Sequence, residues 1–483
     1  MARRAVLAIE RAHYRRFLVS VGAGMVVLGA MMWIPAVNHS FVGAPDRQMM
    51  TMAFKIRAEQ VAADDPALLI DIDDSTIVGT LPASGPPRAP LATAPRGVVA
   101  KVLDYILHAP PGQGAKVVIV DVDFATPTPG DEAGAAELHK VLAEWAQTPS
   151  APPLLLGRQS FPASAITSDQ TPKLLLPATD YDDVVDPAPN IYWVIVKMLS
   201  DENSVIREFR PYECDVRPDG KMAPVFSAPL MAYAFMVQGK IPNGAPVSQW
   251  TKTADADCAG PPHPPIQYGE FINYHLELGE GENENRVWPD MPANWPGASV
   301  CGPNADRAVF RRLSAGDVAA AGPDADHGLL CQRLVVVGGT NQAANDFEQT
   351  PFNDMSGPVI LINAARGLEM SDGGLKRVPL WLQLTTLIVM SALITVGFWA
   401  ARKLREHYEG LRSRHRERPL IVRLRLLPFN PVLLSYVFAF TAYAAGVGLL
   451  IVSLNLGYWG YLSAPAFASA VVGSVQEFSN DED

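Results

Sequence analysis

Charge is scarce in this sequence, and so is cysteine. Only 18% of the residues are Asp, Glu, Lys or Arg, against about 25% in an ordinary soluble protein. The 39 basic residues are outnumbered by 50 acidic ones, a net charge of −11, which argues against nucleic acid as a partner because phosphate binding needs an excess of Lys and Arg. There are four cysteines in 483 residues; none forms a CxxC pair and none is spaced with histidine as a zinc set. The nine histidines form no cluster. P-loop, GxGxxG and GxSxG motifs are absent, and Gly338-Gly339-Thr340 is too short to cradle a phosphate. No cofactor is implied.

Apolar residues take the place of the missing charge. They make up 48% of the chain, the mean hydropathy is +0.09, and there are 42 prolines. So much apolar material excludes disorder throughout and points to a membrane protein with a large aqueous part. Residues 17–37 and 379–401 are runs of 21 and 23 residues without a charge, and 426–476 is a run of 51. As one helix the last run would measure about 76 Å, more than twice a ~30 Å hydrocarbon core. It is expected to fold back near Ser453 to Gly457, giving spans at 432–453 and 457–475 within a hairpin at 431–475, with Tyr458, Trp459 and Tyr461 as interfacial aromatics.

The arginines orient these four expected transmembrane helices. Residues 1–16 hold five arginines against Glu10, and 402–430 hold nine basic residues against three glutamates. Basic flanks stay cytoplasmic, so 1–16, 402–430 and the tail 476–483 are expected inside. The long segment 38–378 is expected outside, with 25 basic and 42 acidic residues and a net charge of −17. The basic loop 402–430 suits either anionic lipid or a cytoplasmic effector. The first span could instead be a cleavable signal peptide, but IPAVNHSFVG offers no small-x-small site and an uncleaved anchor is expected. All four cysteines, Cys214, Cys258, Cys301 and Cys331, fall in 38–378. Disulfides suit an oxidising compartment; pairing neighbours in sequence, Cys214–Cys258 and Cys301–Cys331, would close the irregular Gly-, Pro- and Asn-rich stretch 240–330 in two short loops. Buried free thiols are the alternative.

Within 38–378, short apolar runs alternate with helical patterns. Residues 67–73 (ALLIDID) and 115–122 (AKVVIVDV) read as strands buried on both faces. Residues 95–108 and 131–145 read as helices, the first with proline in its first turn and the second opening on acids. Further strands are expected at 153–156, 192–196 and 334–337. The alternation predicts an α/β domain with a mixed, mostly parallel sheet and helices on both faces.

In order, these segments resemble the type-2 CHASE domain, a sensory extracytoplasmic domain associated with cyclases and histidine kinases. The resemblance rests on LIDIDDS from Leu69, Pro95-Arg96, GAKVVIVDVDF from Gly114, DENSVIR from Asp201, FINY from Phe271, FRRLSAGDV from Phe310, LVVVG from Leu334, Asp346, Thr350-Pro351, Met355-Ser356-Gly357 and Ile362-Asn363-Ala364. It covers about residues 45–372. Asn363-Ala364 stands where the family usually has His-Ala, and the turn before Pro95 is rich in Pro and Ala instead of aromatics. Family members typically continue from the last span into a kinase, cyclase or phosphodiesterase; only Gln476 to Asp483 follow here, so output through another protein or through 402–430 is expected.

The sharpest chemistry lies in Asp71-x-Asp73-Asp74-Ser75 at a strand's carboxyl end, where α/β folds place ligands. Asp121 and Asp123 repeat the pattern on the second strand. Two or more such carboxylates could hold a divalent cation, and the string is similar to the nucleophile motif of haloacid-dehalogenase-type phosphotransferases, although their later lysine and acidic-pair motifs are not recognisable. Strand-end aspartates also cap helices and turns. Asp346, reached through the loop after 334–338, belongs at the same edge. The candidate ligand or ion site is therefore Asp71, Asp73, Asp121 and Asp346. Three functions follow: a non-enzymatic inner-membrane sensor or accessory subunit with a periplasmic domain that binds a small-molecule or protein signal and a membrane or cytoplasmic protein partner; a metal-dependent hydrolase using Asp71, Asp73 and Asp121; and a structural subunit of an envelope complex. The first is preferred.

Overall fold

The computed structural model describes residues 67–73, 94–124, 130–158, 178–200, 204–216, 222–238, 310–340 and 347–370 nearly in full, with isolated positions elsewhere. Residues 57–375 form one compact unit, and residues 1–56 with 376–483 form another.

The larger unit is built on a six-stranded parallel sheet. Its strands are β1 (Ala67–Asp71), β2 (Val117–Asp121), β3 (Leu154–Gly157), β6 (Ile191–Val194), β12 (Phe310–Ser314) and β13 (Leu334–Gly338), in the spatial order β12-β1-β13-β2-β3-β6. Every pairing within it is parallel. Four of the six, β1, β2, β3 and β13, are built mainly of Val, Leu and Ile, which suits strands covered on both faces. On one face Leu68, Ile70, Val118, Val120, Leu154, Leu156, Val335 and Val337 join a core with helices α1 (Arg96–Leu107), α2 (Glu132–Gln147) and α5 (Ala315–Ala321). The alternate residues, Leu69, Ile119, Leu155 and Val336, are just as buried. They lie on the face covered by α4 (Ala228–Gln238) and α6 (Gly357–Met370).

Shorter elements complete the unit: β4 (Phe161–Pro162), β5 (Leu174–Leu175), α3 (Asp182–Val185), β7 (Met198–Ser200), β8 (Ile206–Phe209), β9 (Tyr212–Val216), β10 (Met222–Phe226), β11 (Glu270–Phe271), β14 (Phe347–Gln349) and β15 (Asp354–Ser356). They form a sheet β10-β9-β5-β4, a sheet β11-β8-β7 and the hairpin β14-β15. The main sheet is thus wholly parallel; among the described residues antiparallel pairing is confined to these additions. Cys214 on β9 is bonded to Cys258, the expected pairing. Cys331 is also disulfide-bonded; Cys301 lies outside the described residues, as does most of 240–309.

The packing of α1 on α2 has a specific cause. The Asp131 carboxylate, just before α2, accepts from the backbone N–H groups of Arg96 and Gly97 at the start of α1, the second at 3.3 Å. One acid thereby satisfies orphan donors of a neighbouring helix. The approach requires glycine at 134: a Cβ there would stand 2.2 Å from Asp131 Oδ1 and 2.4 Å from the Gly97 backbone nitrogen. At the other end of α2, Asn190 Nδ2 donates to the Trp145 and Thr148 carbonyls, at 3.0 and 3.2 Å.

The expectation of four transmembrane α-helices is corrected. Among the described residues no helix is long and apolar enough to cross a membrane. Hydrophobicity in the described helices serves the sheet instead: α4, the most apolar, has 11 residues, about 16 Å of helix against a ~30 Å core. Apart from isolated positions, the spans expected at 17–37, 379–401, 432–453 and 457–475 lie outside the described residues, as does the basic loop 402–430. In the smaller unit β16 (Lys376–Arg377) pairs in parallel with β17 (Tyr458–Trp459).

Candidate functional site

The carboxyl ends of the parallel strands bring the expected acids to one edge. Asp71 of β1 is in register with Gly338 of β13, and Gly338 with Asp121 of β2. The two aspartates are therefore two strand spacings apart, about 9–10 Å between backbones. Gly338 leaves no room for a side chain between them: a Cβ would meet Pro358 Cγ at 2.5 Å and Asp121 Cβ at 3.1 Å. Pro358 belongs to the first turn of α6, so the edge is closed on that face by a helix start.

Asp71 is fully buried and its carboxylate is held by two residues. Thr340 donates its N–H to Oδ1 at 2.8 Å and its hydroxyl to Oδ2 at 2.6 Å. Arg312 of β12 donates Nε to Oδ2 at 2.8 Å and adds a second bond from its terminal nitrogen, which also reaches the Thr340 hydroxyl at 3.1 Å. Burial pushes the Asp71 carboxyl up from its ordinary value, and Arg312 and Thr340 pull it back only in part. Arg312 reaches Asp71 because parallel pairing sets Leu69 beside Arg312 and Asp71 beside Ser314, so the arginine need only lean two residues along its strand.

Asp73 does different work. Its Oδ1 accepts from the Thr76 N–H at 2.8 Å and from the Thr76 hydroxyl at 2.7 Å, the geometry of a helix or turn cap. The same hydroxyl accepts from the Gly316 N–H at 3.2 Å, tying this turn to the start of α5. Asp346 lies outside the described residues. Among the described residues no group of three His, Cys, Asp or Glu side chains could hold a metal ion.

Farther along the edge, beyond β2 and β3, stands a cluster the sequence reading passed over. The Arg96 guanidinium lies 4.9 Å from the Phe124 ring centre and donates to the Asp123 carbonyl. That of Arg158 lies 4.9 Å from the Trp193 ring and pairs with Asp182, at 3.2 and 3.3 Å. Phe124 meets Tyr181 and Trp193 edge-on. These are stacked, largely buried cations, and only Pro95-Arg96 was legible beforehand, as part of a resemblance. Arg312 too sat unremarked within FRRLSAGDV; its role depends on which strand lies beside β1. In α6, buried Asn363 donates to the Val359 carbonyl at 3.2 Å.

A family model, the CHASE2 domain, matches residues 25–399. The chain belongs to the CHASE2 domain family. No curated protein and no solved structure matches it. CHASE2 domains are sensory domains, typically extracellular, and the match spans the whole parallel sheet, from β1 to α6.

Proposed function

We propose that this chain is a sensory or accessory protein whose extracytoplasmic CHASE2 domain binds a signal or a protein partner and carries out no chemistry of its own. One observation carries the non-catalytic half of this reading. A strand-end nucleophile or metal ligand needs an open carboxylate, and the Asp71 oxygens are engaged by Arg312 and Thr340. The signal meets the domain at the carboxyl edge, beside Asp121; Asp71 and Asp73 hold that edge in shape.

Two measurements on the full chain test this. A photo-crosslinking residue at Asp123, on the carboxyl edge, should trap an adduct of defined mass in cells, and one at exposed Pro111, beyond the C-terminus of α1, should not. Equal adducts from both positions would refute the placement. Turnover of p-nitrophenyl phosphate should be absent with Mg²⁺ present; Mg²⁺-dependent turnover abolished by Asp71→Asn would overturn the non-catalytic reading in favour of a hydrolase.

A further inference from the structure

At the C-terminus of α1 a buried histidine grips a helix end. His327 is 4% exposed and Tyr105 3%; their rings stack with centroids 4.4 Å apart at 12°. His327 Nε2 lies 2.8 Å from the Tyr105 carbonyl. A carbonyl only accepts, so Nε2 carries the proton and Nδ1 is the position that gains one in acid. That carbonyl is one a helix end leaves over: the N–H of His108 goes to Asp104 and that of Ala109 to Ile106. In return the Tyr105 hydroxyl donates to the Asp326 carbonyl at 2.5 Å. Three contacts thus join one turn to the end of α1, and the chain runs from that turn through Leu330 into β13, at the centre of the sheet.

We propose that this contact is an acid-released latch, in which protonation of His327 at Nδ1 frees the 324–330 turn from the last turn of α1. The proposal rests on the extracytoplasmic sensory reading, since a compartment outside the cytoplasm follows external pH. The groups facing His327 set the sign. From α1 come Tyr105 and His108; His108 itself sits between Asp104, at 3.1 Å, and Glu144 of α2, at 3.5 Å. From its own turn come Asp324 and Asp326. Burial disfavours the charged ring and His108 adds repulsion; the Tyr105 carbonyl and the two aspartates favour the charge but do not cancel the burial, so His327 is held below its ordinary value. A freed His327 titrates near its ordinary ~6.5. Acid therefore favours the open turn, by up to about tenfold in the open-to-latched ratio per pH unit below that point.

Hydrogen exchange of the full-length chain, corrected for the intrinsic pH dependence of exchange, reads the turn directly. Peptides covering 322–333 should lose protection between about pH 7.5 and about pH 5, while those covering β2 and β3 keep theirs. His327→Gln retains a donor for the Tyr105 carbonyl and cannot titrate, so its acid response should vanish; His108→Gln should still open. Tyr105→Phe, which removes the bond to Asp326 and keeps the titrating ring, should open at higher pH, and it preserves the test if His327→Gln does not fold. An unchanged wild-type turn, or an equal acid response in His327→Gln, would overturn the latch. The readout is the turn itself, so this proposal and the sensory reading fail separately.

Discussion

Replacing Arg312 by leucine asks whether charge holds the carboxyl edge together. Asp71 has no exposed side-chain surface, whereas Arg312 keeps 23% of its own, so the acid depends on the arginine more than the reverse. A unit pair about 4 Å apart at an effective dielectric near 20 is worth about 4 kcal/mol, and breaking a buried pair from one side costs about 3–5 kcal/mol. The two Thr340 bonds survive the change but supply no positive charge. Arg312→Leu is therefore expected to lose about 3–5 kcal/mol near pH 7.5. Asp71→Asn should lose less, about 1–3 kcal/mol, because the carboxamide still accepts from Thr340 and mispairs only towards Arg312. Together the two changes should cost less than their sum by about 1 kcal/mol or more, since the leucine no longer strands a buried charge.

The pH dependence has a definite sign. Burial already holds the Asp71 carboxyl above its ordinary value, and Arg312 is the strongest group opposing it; without Arg312 it rises further. The folded variant then binds a proton more readily than the unfolded chain, whose aspartates titrate near 3.9. Its deficit should be smallest near pH 4 and grow as pH rises through the raised folded value. Urea unfolding of the full-length variant and wild type, followed by tryptophan fluorescence at about pH 5 and about pH 7.5, measures this difference. A deficit below about 1 kcal/mol at the higher pH, the range of an exposed pair, would refute the reasoning. So would a deficit that grows in acid, or strict additivity.

Gly134→Ala sets helix propensity, a gain of about 1 kcal/mol, against a clash with the Asp131 carboxylate and the Gly97 backbone. The clash and the loss of the Asp131 cap should win, leaving a net loss of about 1–3 kcal/mol by thermal unfolding; a stabilised variant would contradict the close approach of α1 and α2. Asp73→Ala should cost about 0.5–2 kcal/mol while Asp73→Asn stays near neutral, because asparagine also caps; a rise in melting temperature for Asn would instead indicate relief of carboxylate repulsion. Removing the Cys214–Cys258 bond, whose ends are separated by 44 positions in sequence, should cost about 4 kcal/mol in the chain-entropy account, and Cys214→Ser unfolding at the wild-type urea midpoint would count against it.

The strands and helices that make this a CHASE2 domain were legible in the residues because each follows from local pattern. Runs such as ALLID and VVIVD can be buried on both faces only inside a covered sheet, and the 95–108 and 131–145 patterns carry their own start signals; observed boundaries of 96–107 and 132–147 differ by two residues at most. The pairing of Cys214 with Cys258 was likewise available from spacing. Long apolar runs gave an expectation of four membrane helices, which the described residues do not bear out; apart from isolated positions those runs lie outside the described residues. Strand order was beyond local pattern altogether. Only the fold inserts β13 between β1 and β2, which sets Gly338 between Asp71 and Asp121 and prevents the two from facing each other as neighbours. Only the fold lays β12 along β1, so that an arginine 241 residues away in sequence meets Asp71. Sequence determined which segments bury their side chains, since that depends on residues a few positions apart. Which charge met which was decided by tertiary structure, because ion pairs form between neighbours in space and the chain records only neighbours in line.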